Sequence, residues 1–101
     1  MTAQLDILAD IMVRMQALGT AAKRAARAVA LASTAVKRTA LLAAAAELRR
    51  READILAANA LDVADAKARG TAGSFIDRLE LTPARVEAMA RSVEEGADLP
   101  D

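Results

Sequence analysis

The run Thr82-Pro83-Ala84-Arg85-Val86-Glu87-Ala88-Met89-Ala90-Arg91-Ser92-Val93 carries the plainest structural signal in the chain. A threonine hydroxyl can accept one of the amide protons orphaned at a helix start. Proline at the next position lacks the amide that would be orphaned there, and its fixed φ suits the first turn. Val86, Met89, Ala90 and Val93 then recur at spacings of three and four, which places them on one helical stripe. The helix is expected to end near Gly96, with Leu99-Pro100-Asp101 as an extended exit. No segment alternates with the period of two that a half-buried strand shows. The expected class is therefore all-α, with four to five helices in a bundle-like or an extended arrangement.

The same signals divide the rest of the chain. Residues 70–74, Gly-Thr-Ala-Gly-Ser, are the most loop-like run, and Gly70 is placed to stop the helix before it. A short turn of helix is expected from Ser74 to Leu79, capped by Ser74 and carrying Phe75, Ile76 and Leu79. Residues 52–69 read as helix with Ile55, Leu56 and Val63 apolar, and Asn59 in their midst either caps or interrupts it. Residues 35–51 give another, with Val36, Leu41, Leu42, Ala45 and Leu48 as its apolar set. Arg49-Arg50-Arg51 falls at its end, where cations suit the helix dipole. Ser33-Thr34 supplies a stop and an N-cap before it. Over residues 3–32, Leu5, Leu8, Ile11, Met12, Met15 and Leu18 form a stripe. Gly19-Thr20 is an expected bend or restart. Ala22, Ala25, Ala26 and Val29 continue the apolar face with side chains small enough for another helix to approach closely. No self-similar unit of solenoid length recurs.

The core that these helices can build is modest. A chain of 101 residues buries roughly 65% of its unfolded surface. Its 54% apolar content includes 28 alanines, whose methyl groups remove little area from water, and Phe75 is the sole aromatic residue. Met12, Met15 and Met89 read as core filler, with Met1 at the start of the chain. Such a chain is expected to be marginal alone and to lean on something else.

The absences restrict chemistry further. Without Cys there is no disulfide, thiolate nucleophile or cysteine metal site, and without His the usual general base and metal ligand are missing. Ser33, Ser74 and Ser92 therefore have no histidine to activate them, and Ser33 and Ser74 read as caps. Asp62 and Asp65 share a helix face at a spacing of three, but beside Lys67 and Arg69 they read as a solvated face, as do Glu94, Glu95 and Asp98. Gly70-Thr71-Ala72-Gly73 has neither the preceding strand nor the lysine of a phosphate loop. No catalytic, cofactor-binding or metal residue is assigned. Leu5 to Leu18 is interrupted by Asp6, Asp10 and Arg14, so it reads as neither a secretory signal nor a membrane span, and the expected setting is soluble and cytoplasmic.

Net charge is zero but unevenly placed. Residues 1–51 hold nine Lys/Arg against three Asp/Glu, and residues 52–101 hold five against eleven. The basic set Lys23, Arg24, Arg27, Lys37 and Arg38 can in principle meet phosphate backbones. With no recognition motif and no net basic charge, two helical layers that complement each other are the better reading, and no nucleic-acid or membrane partner is expected.

Several segments, taken in order, resemble the amino-terminal region of the gamma-glutamyl phosphate reductase (glutamate-5-semialdehyde dehydrogenase) family. They are Gly19 with Ala21-Ala22-Lys23, Ala32-Ser33-Thr34 with Lys37, Ile55 to Asn59, Asp62-Val63, and Ala66 to Gly70. The most specific is Asp77-Arg78-Leu79-Glu80-Leu81-Thr82-Pro83-Ala84-Arg85, and the whole likeness covers residues 16–101. The resemblance implies membership of the aldehyde dehydrogenase superfamily, whose intact fold is α/β. It also implies NADPH-dependent conversion of L-glutamate 5-phosphate to the 5-semialdehyde in proline synthesis, through a cysteine nucleophile. That cysteine and the cofactor domain would lie beyond residue 101, so residues 1–101 would be a non-catalytic helical portion with no complete catalytic or cofactor domain. Asp77, Arg78 and Thr82 would serve charge pairing and capping. The expected partners are the remainder of the reductase, or further copies of the chain through exposed apolar faces. The alternative is a stand-alone helical interaction module.

Overall fold

The computed structural model describes residues 2–101, so Met1 lies outside the described residues. Among these residues the chain forms five helices and no strand: α1 (Thr2–Leu31), α2 (Thr34–Arg50), α3 (Glu52–Ala68), α4 (Gly73–Leu79) and α5 (Pro83–Ala97). They fall into two compact units, Met1–Ser33 and Thr34–Asp101.

The local signals account for most boundaries. Thr82 is the N-cap of α5, its side-chain oxygen accepting from the Arg85 amide at 3.2 Å, and Pro83 opens the helix. Gly70, at φ 73°, ends α3 in a Schellman motif. The Gly70 amide donates to the Lys67 carbonyl at 3.0 Å and the Thr71 amide to the Ala66 carbonyl at 3.1 Å. A Cβ added at Gly70 would meet no atom within 4 Å, so only the backbone resists a side chain there. Gly70→Ala is therefore expected to cost about 1 kcal/mol, the penalty for placing an L-residue in the left-handed region. A urea midpoint shifted down with an unchanged slope would show it, and an unshifted midpoint would refute it.

Four boundaries differ from the sequence expectation. α1 runs unbroken through Gly19-Thr20, because one glycine among alanines costs a helix only about 1 kcal/mol. α4 begins at Gly73 after Ala72 as N-cap, with no side-chain cap, so Ser74 lies inside the first turn and does not cap it. Asn59 neither caps nor interrupts α3 but sits buried within it. α5 continues past Gly96 to Ala97, closed by the Asp98 amide donating to the Glu95 carbonyl at 3.1 Å.

In Thr34–Asp101 the principal packing is α2 against α5, with α3 joined mainly to α4. The buried apolar residues are Ala45, Val63, Ala66, Val86, Ala90 and Ala97, four of them alanine. This core is thinner than the apolar stripes suggested. Val36 and Phe75 are exposed, and Leu41, Leu42 and Met89 remain 37% exposed. α1 has no buried residue, so Met12 and Met15 are surface residues and not core filler. Each stripe is broader than the surface its neighbours cover.

Candidate functional site

Two polar constellations hold Thr34–Asp101 together. The first is a joint around residues 77–85. Between α4 and α5 the backbone is extended at Glu80 and Thr82, which leaves peptide groups outside any helix. Asn59, at the middle of α3, supplies partners for two of them. Its Nδ2 donates to the Leu79 carbonyl at 2.9 Å, and its Oδ1 accepts from the Leu81 amide at 2.8 Å. A carboxamide offers one donor and one acceptor side by side, which matches a carbonyl and an amide two residues apart on extended chain. The Arg85 guanidinium completes the joint, donating to the Asp77 carbonyl at 2.6 Å and also to the Glu80 carbonyl. Asp77 thus acts through its backbone. Among the described residues neither Asp77 nor Arg78 enters an ion pair, contrary to the charge pairing expected of them.

The second constellation is an ionic seam between α2 and the α5 end of the chain. Arg49 forks onto two carboxylates. It meets Glu87 at 2.9 and 3.0 Å and Glu94 at 3.0 and 2.6 Å, and Glu87 also receives Arg91 at 3.5 Å. Lys37 reaches Asp101 at 2.8 Å, and the same carboxylate accepts from the Thr34 hydroxyl at 2.8 Å. Arg38 pairs with Asp98 and approaches the Ala97 carbonyl at 3.4 Å. The complementary layers expected from the charge imbalance are present here. Glu94 and Asp98, read as solvated from sequence, are instead ion-pair partners of α2. Lys37 and Arg38 are likewise engaged within the fold and are not presented as a phosphate-binding patch. What remains solvated is Asp62, Glu95 and the Asp65–Arg69 pair at 3.0 Å.

Hydrogen bonds from Arg49 hold the Glu87 and Glu94 carboxyls below the usual carboxylate range, and those from Lys37 and then Thr34 do the same for Asp101. Groups with depressed folded values contribute stability above their unfolded pKa, and that contribution is lost as pH falls through the folded value. The seam is therefore expected to be at full strength at neutral pH and to fail progressively below about pH 4. Urea midpoints of the chain and of Arg49→Met across pH 7 to 3 check this, with the fall expected to be shallower in the variant. Equal slopes would show that the acids act elsewhere.

Nothing in these constellations resembles a reaction centre. Among the described residues no group of acids could hold a metal ion. Residues 70–73 do not fit a dinucleotide phosphate, because a helix precedes them and the Gly70 and Thr71 amides already donate to Lys67 and Ala66. Ser92 lies exposed on α5, and Ser33 stands directly before α2. Among the described residues no helix is long and apolar enough to cross a membrane.

Comparison with known proteins gives this scaffold a context. The chain is 54% identical over 92 residues to a gamma-glutamyl phosphate reductase of Methylocella silvestris, which covers 91% of this chain and 21% of that protein. It is 53% identical over 92 residues to that of Parvibaculum lavamentivorans, and 51% over 90 residues to that of Chloroflexus aurantiacus. The chain is a relative of the gamma-glutamyl phosphate reductases. It spans about a fifth of their length, 21% or 22% in each of these cases. No family model matches it. The five helices thus correspond to a minor part of the reductase chain.

Proposed function

We propose that these 101 residues are the amino-terminal helical portion of a cytoplasmic, NADPH-dependent reductase that converts L-glutamate 5-phosphate to L-glutamate 5-semialdehyde in proline biosynthesis. The observation that carries this is the identity of about one residue in two to reductases of that name along 91% of the chain. The chain's own residues contribute architecture. The joint around Asn59 and the seam around Arg49 hold α2 to α5 as a preformed unit, and NADPH and the reacting cysteine belong to the remaining four-fifths. On this reading the isolated chain is inert.

The test supplies the chain in trans to a related reductase from which the matching segment has been deleted. Restored reduction of the acyl phosphate, with no NADPH oxidation by either piece alone, is the expected result. Turnover by the 101-residue chain alone would refute the non-catalytic assignment. Failure to restore activity with a chain that is folded by circular dichroism would refute the architectural one.

A further inference from the structure

After α5 the chain turns back onto α2. The Asp98 and Leu99 amides still donate into the end of α5, to the Glu95 carbonyl at 3.1 Å and the Gly96 carbonyl at 3.3 Å. Pro100 has no amide to continue that pattern, and its ring disfavours the helical region for Leu99. The helix therefore stops, and Asp101 comes to lie against the amino-terminal end of α2. There the Lys37 ammonium donates to both oxygens of its carboxylate, at 2.8 and 3.1 Å, and the Thr34 hydroxyl donates to one of them at 2.8 Å.

The two ends of this stretch are held differently. At Asp98, Arg38 pairs with the carboxylate and also donates to the Ala97 carbonyl at 3.4 Å, over a turn that main-chain bonds already close. Beyond it Leu99 is 68% exposed, and a hollow of about 270 Å³ lies among Leu41, Ala97, Leu99 and Pro100. Little apolar surface is buried under these residues, so the fastening falls to Asp101. Its side chain and that of Lys37 stay 39% and 30% exposed. An ion pair so open to water is weak, and ordering the backbone that leads to it costs conformational entropy. The fastened and unfastened arrangements are therefore close in free energy.

We propose that residues 99–101 form a strap, hinged at Asp98 and latched by Lys37 and Thr34, which opens and closes while the helices of Thr34–Asp101 stay folded. Closed, it covers the hollow beside Ala97 and fixes the heading of the chain relative to α2. Open, it bares that hollow and frees the heading. The inference goes beyond the reductase reading and does not depend on it.

The two prolines of the sequence, Pro83 at the start of α5 and Pro100 in the strap, read the two parts separately, and both follow trans peptide bonds. A cis Leu99–Pro100 bond would draw the flanking Cα atoms from about 3.8 to about 2.9 Å apart and turn Asp101 off its latch, so that form belongs to the open strap. In a sample carbon-labelled at proline, the ring carbons show the isomer of each bond. With the strap latched, cis at Pro100 is expected at or below the roughly 5% usual in folded proteins. Lys37→Met and Asp101→Ala should each raise it severalfold, toward the ~10–30% of an unfolded chain, with Pro83 still trans and the helical signal unchanged. Salt at about 1 M, which cuts the screening length to about 3 Å, should raise it in the parent and do little to Asp101→Ala. Arg78→Gln, which removes an exposed cation of α4, is the control and should leave it where it was. A cis fraction at Pro100 that neither Lys37→Met nor Asp101→Ala moves would overturn the latch. A rise that comes only with loss of helical signal would overturn the strap's independence of the fold.

Discussion

Asn59→Ala is expected to lower the stability of Thr34–Asp101 by about 2 kcal/mol. The substitution removes both hydrogen bonds to the joint and leaves the Leu79 carbonyl and the Leu81 amide, each part-buried, without their partner. Leaving a buried polar group unsatisfied costs about 1–3 kcal/mol. The better helix propensity of alanine returns roughly 0.5 kcal/mol. For a unit of this size the total stability is roughly 3–10 kcal/mol, so the loss is a substantial share of it. Asn59→Asp should do no better, since a carboxylate accepts from Leu81 but turns an oxygen toward the Leu79 carbonyl. Asp62→Ala, on the exposed face of the same helix, is the control and should change stability by no more than about 0.5 kcal/mol. Urea denaturation followed at 222 nm measures all three; a difference of less than about 0.5 kcal/mol between Asn59→Ala and Asp62→Ala would remove the joint from the account of stability.

Ala90→Leu is the other large effect, expected at about 1–3 kcal/mol and toward the upper end of that range. Ala90 is fully buried on α5, the helix that packs principally on α2, and Ala45 on α2 is fully buried as well. A core built on methyl groups has no long side chain that can rotate aside, so added carbons must push the helices apart. Displacement would also strain the forked contacts of Arg49 to Glu87 and Glu94, whose lengths lie between 2.6 and 3.0 Å. The variant should therefore lose part of its pH dependence along with its stability. Ala88→Leu, on the exposed face of α5, separates crowding from helix propensity and should be nearly neutral. Equal midpoints for the two variants would mean that α5 is not closely packed at Ala90.

Much of this arrangement is legible in the residues because it is local. Gly70 and Thr82-Pro83 act within one turn of themselves, and both do in the structure what their chemistry dictates. The charge imbalance between the halves is not local, yet it survives as a compositional bias. It foretold complementary layers without naming Arg49 as the residue that joins two carboxylates. Asn59 was ambiguous because its partners lie 20 and 22 residues away, and a carboxamide in a helical run carries no mark of what it faces. Gly96 misled because a glycine can stay helical when Asp98 and its Arg38 partner hold the following turn. The face of α1 shows the limit most clearly. Periodicity reveals that a helix has an apolar side, but what covers that side is a property of the neighbours.

Asn59 is the only asparagine in the sequence, and its side-chain protons face a main-chain carbonyl 20 positions along the chain. The molecule therefore carries a native spectroscopic reporter of long-range closure. In a nitrogen-labelled sample this one carboxamide gives a single pair of proton signals distinct from the glutamines Gln4 and Gln16. The proton bonded to Leu79 exchanges with solvent only when α3 and the joint separate. Its exchange rate would follow the opening of Thr34–Asp101 without an attached probe, a tag or a substitution.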